Sequence, residues 1–590
     1  MNQTRSFLLL ALAFVAYLLF NQWMNDYHRP KTPPPAPAAV ASATTASSPE
    51  AAGVPTAPAN AGSSSAPTDA AATGKVPAVA TAAAAPGQLI HVKTDVLELA
   101  IDTRGGTLVR SHLLKYPETY GSKDKVQLLN NQPAHLYEAQ SGLIGADGAA
   151  APNHTTLFTT NKTDYTLAPG QKSLTVDLTW TGPAGVKVVK SYTFTRGSYA
   201  VALSQAIDNT GAKAWHGHAY HQFERVVPPK AKVNFLKKYA GAADYGFFGA
   251  AWYSPEDKFN QVKFDDIKKH PLGQDGAIGR NVKGGWIAME ETYFLGAWLP
   301  KGDVTAHIST LELPGTGANA KTRYLIRSVG PLLTVAPGQS TTSAAKLYLG
   351  PMIPDLLQKV EPSLKLALNY GMMTIIARPL HWVLVKLHAI TGNWGWAIVL
   401  MVILINALIY KLNAMQYRSS AHMRRLAPRM KALKERFGDD KQKLQQATME
   451  LYKKEKVNPM AGCFPVLITL PIFFGLYELL RQSVELRQAP FIFWIHDLSA
   501  ADPYFVLPVL YAIVMLIQSM MMPITPGMGA TQQKMMRYMP VAYAVLFAFF
   551  PAGLSLYYIV NTICRLLTQW WVYREVDRET ARREAAKAKS

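Results

Sequence analysis

The chain has 590 residues, with 60 Lys/Arg against 39 Asp/Glu and only two cysteines. That length excludes a single ordinary domain, and a net charge of +21 calls for an acidic partner such as anionic lipid or RNA. Cys463 and Cys564 both lie in apolar runs, so the large polar region has no disulfide, and no Cys/His spacing of the metal-binding kind occurs.

Phe7–Trp23 is an apolar run preceded by Arg5. A cleaved signal peptide has the same texture. No small-x-small site follows, however, and Trp23 suits a membrane interface, so residues 1–30 are expected to be an uncleaved anchor. Residues 31–87 are Pro, Ala, Ser and Thr with almost no large apolar side chains, which predicts a disordered linker. In residues 88–349 the texture changes to period two. Leu97, Leu99 and Ile101 alternate with polar residues, as do Leu174, Val176, Leu178 and Trp180, and then Tyr199, Val201 and Leu203 before the turn Asp208–Gly211. Such alternation with regular turn signals predicts an antiparallel sandwich.

Residues 350–393 connect this sandwich to the apolar runs beyond it. Within them Met373, Ile376, Leu380, Val383, Leu384 and Leu387 fall at helical spacing, interrupted by Arg378, His381, Lys386 and His388. This is an amphipathic helix, lying either in the membrane interface or against the sandwich; the span that starts at Trp394 favours the interface.

Apolar runs of spanning length occur at Trp394–Tyr410, Ala461–Leu480, Tyr504–Met522, Met539–Phe550 and Leu554–Tyr573, making six with Phe7–Trp23. The fifth has about twelve apolar residues, or about 18 Å of helix, against a hydrocarbon core roughly 30 Å thick. Flanking residues such as Met535 extend it, or the bilayer thins there. Pro551-Ala552-Gly553 is expected to turn tightly into the sixth, and Pro465 and Pro471 to loosen the third.

Residues 411–456 carry thirteen Lys/Arg and five Asp/Glu, and the 523–538 loop has Lys534 and Arg537 without an acid. The 481–503 loop has two basic and three acidic residues, and the tail 574–590 six basic and four acidic. The positive-inside bias then puts the basic loops and both termini in the cytoplasm and the sandwich outside. Within the basic block, Met423, Leu426, Met430, Leu433 and Phe437 recur at threes and fours, Gly438-Asp439-Asp440 breaks the pattern, and Leu444, Ala447 and Leu451 resume it. A helical hairpin over 411–459 is expected, its basic residues either a solvated face or an arm touching headgroups, ribosomal RNA or an arriving chain.

Several stretches carry a resemblance: YRSSAHM from Tyr417, FGDDK from Phe437, KVNPMAGCFP from Lys456, SVELRQAPFIFWIHDLS from Ser483 and FPAGLSLYYIV from Phe550. In this order they resemble the YidC membrane-protein insertase family, from about Met372 to the tail, and the whole layout resembles its larger Gram-negative form. The resemblance implies an α-helical polytopic membrane protein of six spans, residues 394–573 being a five-span insertase core, plus an all-β periplasmic supersandwich. It implies a hydrophilic groove open to cytoplasm and lipid, no cofactor, and a non-enzymatic function. That function is insertion and folding of nascent membrane proteins in the bacterial inner membrane, alone or with the Sec translocon and its accessory subunits. Ribosome contact through the hairpin and basic tail, and anionic lipid, complete the implied partners.

The chain departs from the family at one place. The family usually carries Arg or Lys where this chain has Asn406, and a proline where it has Lys411. Arg565 stands about twelve residues into the last span, where a guanidinium costs roughly 2.5–3.5 kcal/mol on insertion scales. Asn406 and Arg565 each sit about 18 Å along their spans. Arg565 also follows Tyr558 by seven residues, on nearly the same helix face. The reading is therefore that the groove charge has moved to Arg565, with Asn406 accepting a hydrogen bond from it; the alternative is that Arg565 snorkels to the headgroups. Gln518, Tyr557, Tyr558 and Thr562 are candidate groove lining, each also able to serve as an ordinary interhelical hydrogen bonder, and Lys411 is a further candidate groove residue.

No phosphate loop, catalytic triad or zinc helix is present in the sequence, so insertion must run downhill. An apolar segment gains roughly 0.8 kcal/mol per buried CH₂, and a wet groove shortens the dry path of its polar flank. His216, His218 and His221 cluster on one stretch, but no Cys or carboxylate partner accompanies them, and satisfied histidines fit better than a metal site. The rival readings are a polytopic channel or transporter, a tethered carbohydrate-acting enzyme and a translocon-assembly scaffold.

Overall fold

The computed structural model describes residues 87–227, 247–267, 269, 272, 279–315, 321–438, 440–455, 464–521, 535, 538–539 and 545–589. The expected anchor and, except for Gly87, the expected linker lie outside them, as do Lys534 and Arg537. The chain divides into a β unit ending at Ala367 and a helical unit that begins at Leu368.

The described strands of the β unit form a ten-stranded and an eight-stranded sheet. Among them pairing is antiparallel except where Leu89–Lys93 lies parallel to Asp164–Thr166. In the eight-stranded sheet, Ser173–Thr181, Val186–Thr195 and Ala200–Asn209 form a meander, with Val176 opposite Tyr192 and Val188 opposite Ile207. Gly185, at φ 79°, supplies the left-handed backbone that turns the first strand into the second. The third strand pairs with Ser340–Pro351, bringing the end of the unit back to its middle. Inward positions hold Trp252, Trp286, Trp298, Tyr192, Phe194 and Phe223, all fully buried. Each large apolar side chain contributes about 1.5–3 kcal/mol relative to exposure.

Lys190 breaks this pattern. It occupies an inward position between Val188 and Tyr192 and is fully buried. Its Nζ donates to Gly105 O at 2.6 Å and Ser141 O at 2.8 Å, joining a strand of one sheet to backbone of the other. Burial pulls its pKa down to about 7. His221 packs on Trp298 at 5.0 Å, its pKa lowered to about 3 by burial and then by the charge of Lys190. His216 pairs with Thr334 Oγ1 and His218 with Gly330 O. Among the described residues no three His, Cys, Asp or Glu side chains converge as metal ligands.

After α1 (Pro354–Val360), the helical unit contains α2 (Thr374–Thr391), α3 (Trp394–Leu408), α4 (Tyr410–Phe437), α5 (Lys441–Lys454), α6 (Phe464–Gln482), α7 (Val506–Met521) and α8 (Ala552–Lys589). Helix α2 ends at Gly392, in the left-handed conformation at φ 65°. It buries Ala377, His381 and Leu384 and exposes Ile375, Trp382 and Ile390. Asn393 caps α3 by accepting from Trp396 N at 3.2 Å, and its Nδ2 donates to Pro490 O and Phe491 O. The 483–503 loop is thereby fixed to the start of α3. Asp502 holds the loop's other end, accepting from Trp494 Nε1 and from Leu507 N in the first turn of α7. Pro471 lies inside α6.

The structure differs from several sequence expectations. Among the described residues no single helix is long and apolar enough to cross a membrane. Helices α3 and α4 pass that test only together, across a 64° bend, and α7 is a shorter apolar helix. Where the span Met539–Phe550 was expected, the described residues include a short 3-10 turn, Val545–Phe549. Helix α8 begins at Ala552, directly after Pro551, with Leu554 N and Ser555 N donating to Pro551 O while Ala552 N and Gly553 N donate to Ala500 O and Leu498 O. Helix α8 does not stop at Tyr573 but runs 38 residues. The tail is rich in Ala, Glu, Arg and Lys and has no Gly or Pro, so nothing in it ends a helix.

Candidate groove between the last helix and the α3–α4 bend

Helix α8 carries polar residues every fourth position: Tyr557, Asn561, Arg565, Gln569, Tyr573 and Asp577. Such a row forms one ridge of a helix surface, and along it lie contacts with α3, α4 and α7. Asn406 of α3 is buried, and its Nδ2 donates to Val402 O at 2.9 Å and to Asn561 Oδ1 at 3.0 Å. One turn further, the guanidinium of Arg565 lies near the Tyr417 hydroxyl of α4 and acts on it electrostatically. Gln569 Nε2 donates to Met521 O of α7 at 3.3 Å and to Tyr573 Oη at 3.2 Å. Asp577 accepts from Arg425 of α4 at 3.0 Å.

Arg565 is half-buried, and among the described residues it makes no ion pair with a carboxylate. The expected hydrogen bond from Arg565 to Asn406 is not present among the described residues: Asn406 is held by Asn561, and Arg565 stands near Tyr417. The geometry explains the exchange, since Asn561 lies one turn nearer α3 than Arg565 does. Buried acceptors with no described partner, Asn413 Oδ1, Gln416 Oε1 and Gln569 Oε1, belong to the same helices. A buried polar atom left unpaired costs about 1–3 kcal/mol, so these oxygens favour N–H or O–H donors entering between α4 and α8.

The other candidate residues divide. Tyr557 is buried and within electrostatic range of Arg565. Thr562 is buried, its hydroxyl donating back to Tyr558 O at 2.7 Å. Tyr558 packs among Phe473, Tyr511 and Phe547, with ring centroids 5.3, 5.8 and 4.6 Å away. Its ring is therefore in an aromatic cluster rather than beside Arg565. Gln518 is half-buried on α7, and Lys411 is exposed just past the bend. Asn561, Gln569 and Tyr417 were not singled out from sequence. The four-residue spacing of polar groups within an apolar run was the signal that could have found the first two.

Below this row α4 and α8 are fastened together. Ala414, Tyr417, Ala421, Val572, Tyr573 and Val576 form one buried cluster. Arg418 pairs with Glu575 at 3.0 Å, and Arg425 also donates to Val576 O at 2.9 Å.

Two family descriptions cover most of the chain: the YidC periplasmic domain matches residues 89–383, and the 60Kd inner membrane protein matches residues 386–579. The membrane protein insertase YidC of Stutzerimonas stutzeri strain A1501 is 40% identical over 579 residues, covering 98% of this chain and 99% of the relative. The chain belongs to the YidC family. The YidC insertase of Stenotrophomonas maltophilia strain R551-3 is 41% identical over 590 residues, covering 97% of this chain and 96% of its own. That of Coxiella burnetii strain Dugway 5J108-111 is 39% identical over 592 residues, covering 100% and 99%. The YidC family is an inner membrane protein with a periplasmic domain, and its members are named as insertases rather than as catalytic enzymes. The β-rich part of this chain falls in the periplasmic match and the helices from α3 onward in the inner-membrane match.

Proposed function

We propose that this chain passes the polar flanks of nascent membrane-protein segments from the cytoplasm into the bilayer along the row between α8 and the α3–α4 bend, with Arg565 as its cation. The observation that carries the reading is Arg565 itself: half-buried, near a tyrosine hydroxyl on which it acts electrostatically, and paired with no described carboxylate. A guanidinium so placed attracts acidic groups of an arriving flank. Gln569 and Asn406 extend the polar lining to either side; Tyr557 and Thr562 border it, and Gln518 and Lys411 stand at its margins. Once the flank has crossed, the apolar segment partitions sideways into lipid, at a gain of roughly 0.8 kcal/mol per buried CH₂, without nucleotide hydrolysis.

The reading includes six spans with both termini cytoplasmic, the first in residues 1–30, a linker over 31–87, and residues 88–349 in the periplasm. Residues 350–393 connect to a five-span core over 394–573, whose 411–459 hairpin and 574–590 tail face the cytoplasm. Support comes from the basic bias of the loops and the large apolar residues that α3 and α7 expose, among them Leu404, Leu408, Val509 and Ile513. The Sec translocon, the ribosome and anionic lipid are its proposed partners. The test is reconstitution of the purified chain in liposomes with a short single-span substrate, without Sec components or nucleotide. Protease protection of the substrate is expected, and protection no greater than in empty liposomes would refute insertion by this chain alone.

A further inference from the structure

The carboxyl-terminal half of α8 sorts its charges by face. Glu575 and Asp577 are taken by Arg418 and Arg425 of α4, and Glu579 also acts on Arg418. The acids therefore face α4. Trp570, Arg574, Arg578 and Arg582 repeat every fourth residue along another line, all of them exposed. Among the described residues none of these three arginines pairs with a carboxylate. Arg574 stands 4.6 Å above the ring of Trp570. Towards the amino-terminal side the same surface is apolar, with Leu567 61% and Trp571 60% exposed. One exposed helix surface thus passes from aliphatic to indole to guanidinium, the order of hydrocarbon, interface and headgroup in a leaflet.

We propose that this face is a binding site for the phosphate groups of anionic phospholipids in the cytoplasmic leaflet. The inference rests on the reading that α8 leaves the membrane near Trp570. Arg574 lies about 6 Å beyond Trp570 along the helix, and Arg578 about 12 Å. The headgroup layer on each side of the hydrocarbon is about 5–8 Å thick. Helical side chains lean toward the amino terminus, here back toward the membrane, so Arg578 also reaches that layer. Planar guanidinium groups bind phosphate in two-pronged fashion, which Lys does not. RNA offers the same phosphates, but the indoles and Leu567 continuous with the arginines favour lipid.

The full-length protein is reconstituted in phosphatidylcholine vesicles containing phosphatidylglycerol, with bromine placed on the acyl chains of one lipid or the other at equal mole fraction. The signal of interest is the tryptophan quenching lost in the Trp570→Phe/Trp571→Phe variant. Brominated phosphatidylglycerol is expected to quench about twofold or more than brominated phosphatidylcholine. The Arg574→Gln/Arg578→Gln/Arg582→Gln variant is expected to equalise the two while keeping its far-UV circular dichroism. Equal quenching in the unaltered protein overturns the lipid site but leaves α8 in the membrane. Equal quenching, together with RNA binding that the triple variant abolishes, assigns the face to RNA instead. Quenching by neither lipid overturns the membrane placement of α8 and the site with it.

Discussion

Asn406 Nδ2 lies 3.0 Å from Asn561 Oδ1, and this bond joins the end of α3 to α8 one turn before Arg565. The position at which the resemblance places the groove charge is thus, through Asn561, one helical turn from Arg565, and we propose that Arg565 serves the same groove.

That proximity yields an exchange experiment. Arg565→Gln should lower insertion of a substrate with an acidic flank, by about tenfold if the ion attraction is worth about 1.4 kcal/mol. Adding Asn406→Arg to that variant should restore much of the loss. Liposome insertion rates for the single and double variants measure it, and a double variant as poor as the single one would show that the two positions do not serve one groove.

A second expectation concerns pH. The folded pKa of Lys190, about 7, lies below its ordinary value, 10.5. The unfolded chain then binds more protons between these values, so this group makes stability rise with pH across that window. Glu138 and Glu290 are lifted by burial to about 7 and about 8, so their contributions fall as pH rises from their ordinary values and are complete by the upper one. From about pH 8 to 9, below the range where the buried tyrosines, whose pKa values burial raises, begin to oppose it, Lys190 should dominate, and Lys190→Met should remove the rise. Thermal unfolding of the β signal in detergent, at both ends of that range, checks it; parallel profiles for the two proteins would contradict the assignment.

Packing at the start of α3 gives a third. A Cβ on Gly395 would stand 2.0 Å from Cδ2 of Phe491, inside the loop that Asn393 holds. Gly395→Ala should therefore cost about 1–3 kcal/mol, and Phe491→Ala in the same chain should relieve part of it. Denaturation midpoints in detergent measure both.

The fastening of α4 to α8 gives a fourth. Arg418 and Glu575 are 52% and 39% exposed, so a double-mutant cycle on this pair should yield only about 0.2–1 kcal/mol. Arg425→Ala should cost more, because Arg425 also bonds Val576 O. Cycle energies from thermal melts decide between them.

Much of the β unit is legible in the sequence, because period-two burial leaves its mark directly. Leu97, Leu99 and Ile101 sit on inward positions of one strand, and Leu174 to Trp180 lie within another. Lys190 falls on the same inward phase as Val188 and Tyr192, yet period alone does not say that Gly105 and Ser141 offer carbonyls to it. In the helical unit, the four-residue spacing from Asn561 to Tyr573 fixes a face but not its partners. Which residue Asn406 meets depends on where α3 crosses α8, and the 64° bend that brings Tyr417 to Arg565 has no Pro or Gly to announce it. The length of α8 was masked for another reason: its hydropathy ends at Tyr573, while its helix propensity continues.

The most direct test of the account compares Arg565→Glu with Lys411→Glu in the liposome assay, using a substrate whose translocated flank is acidic. If Arg565 is the groove cation, its reversal lowers protease-protected product by about tenfold or more, while reversal of the exposed Lys411 leaves most of it. Equal effects of the two reversals, or none from Arg565→Glu, would contradict the account.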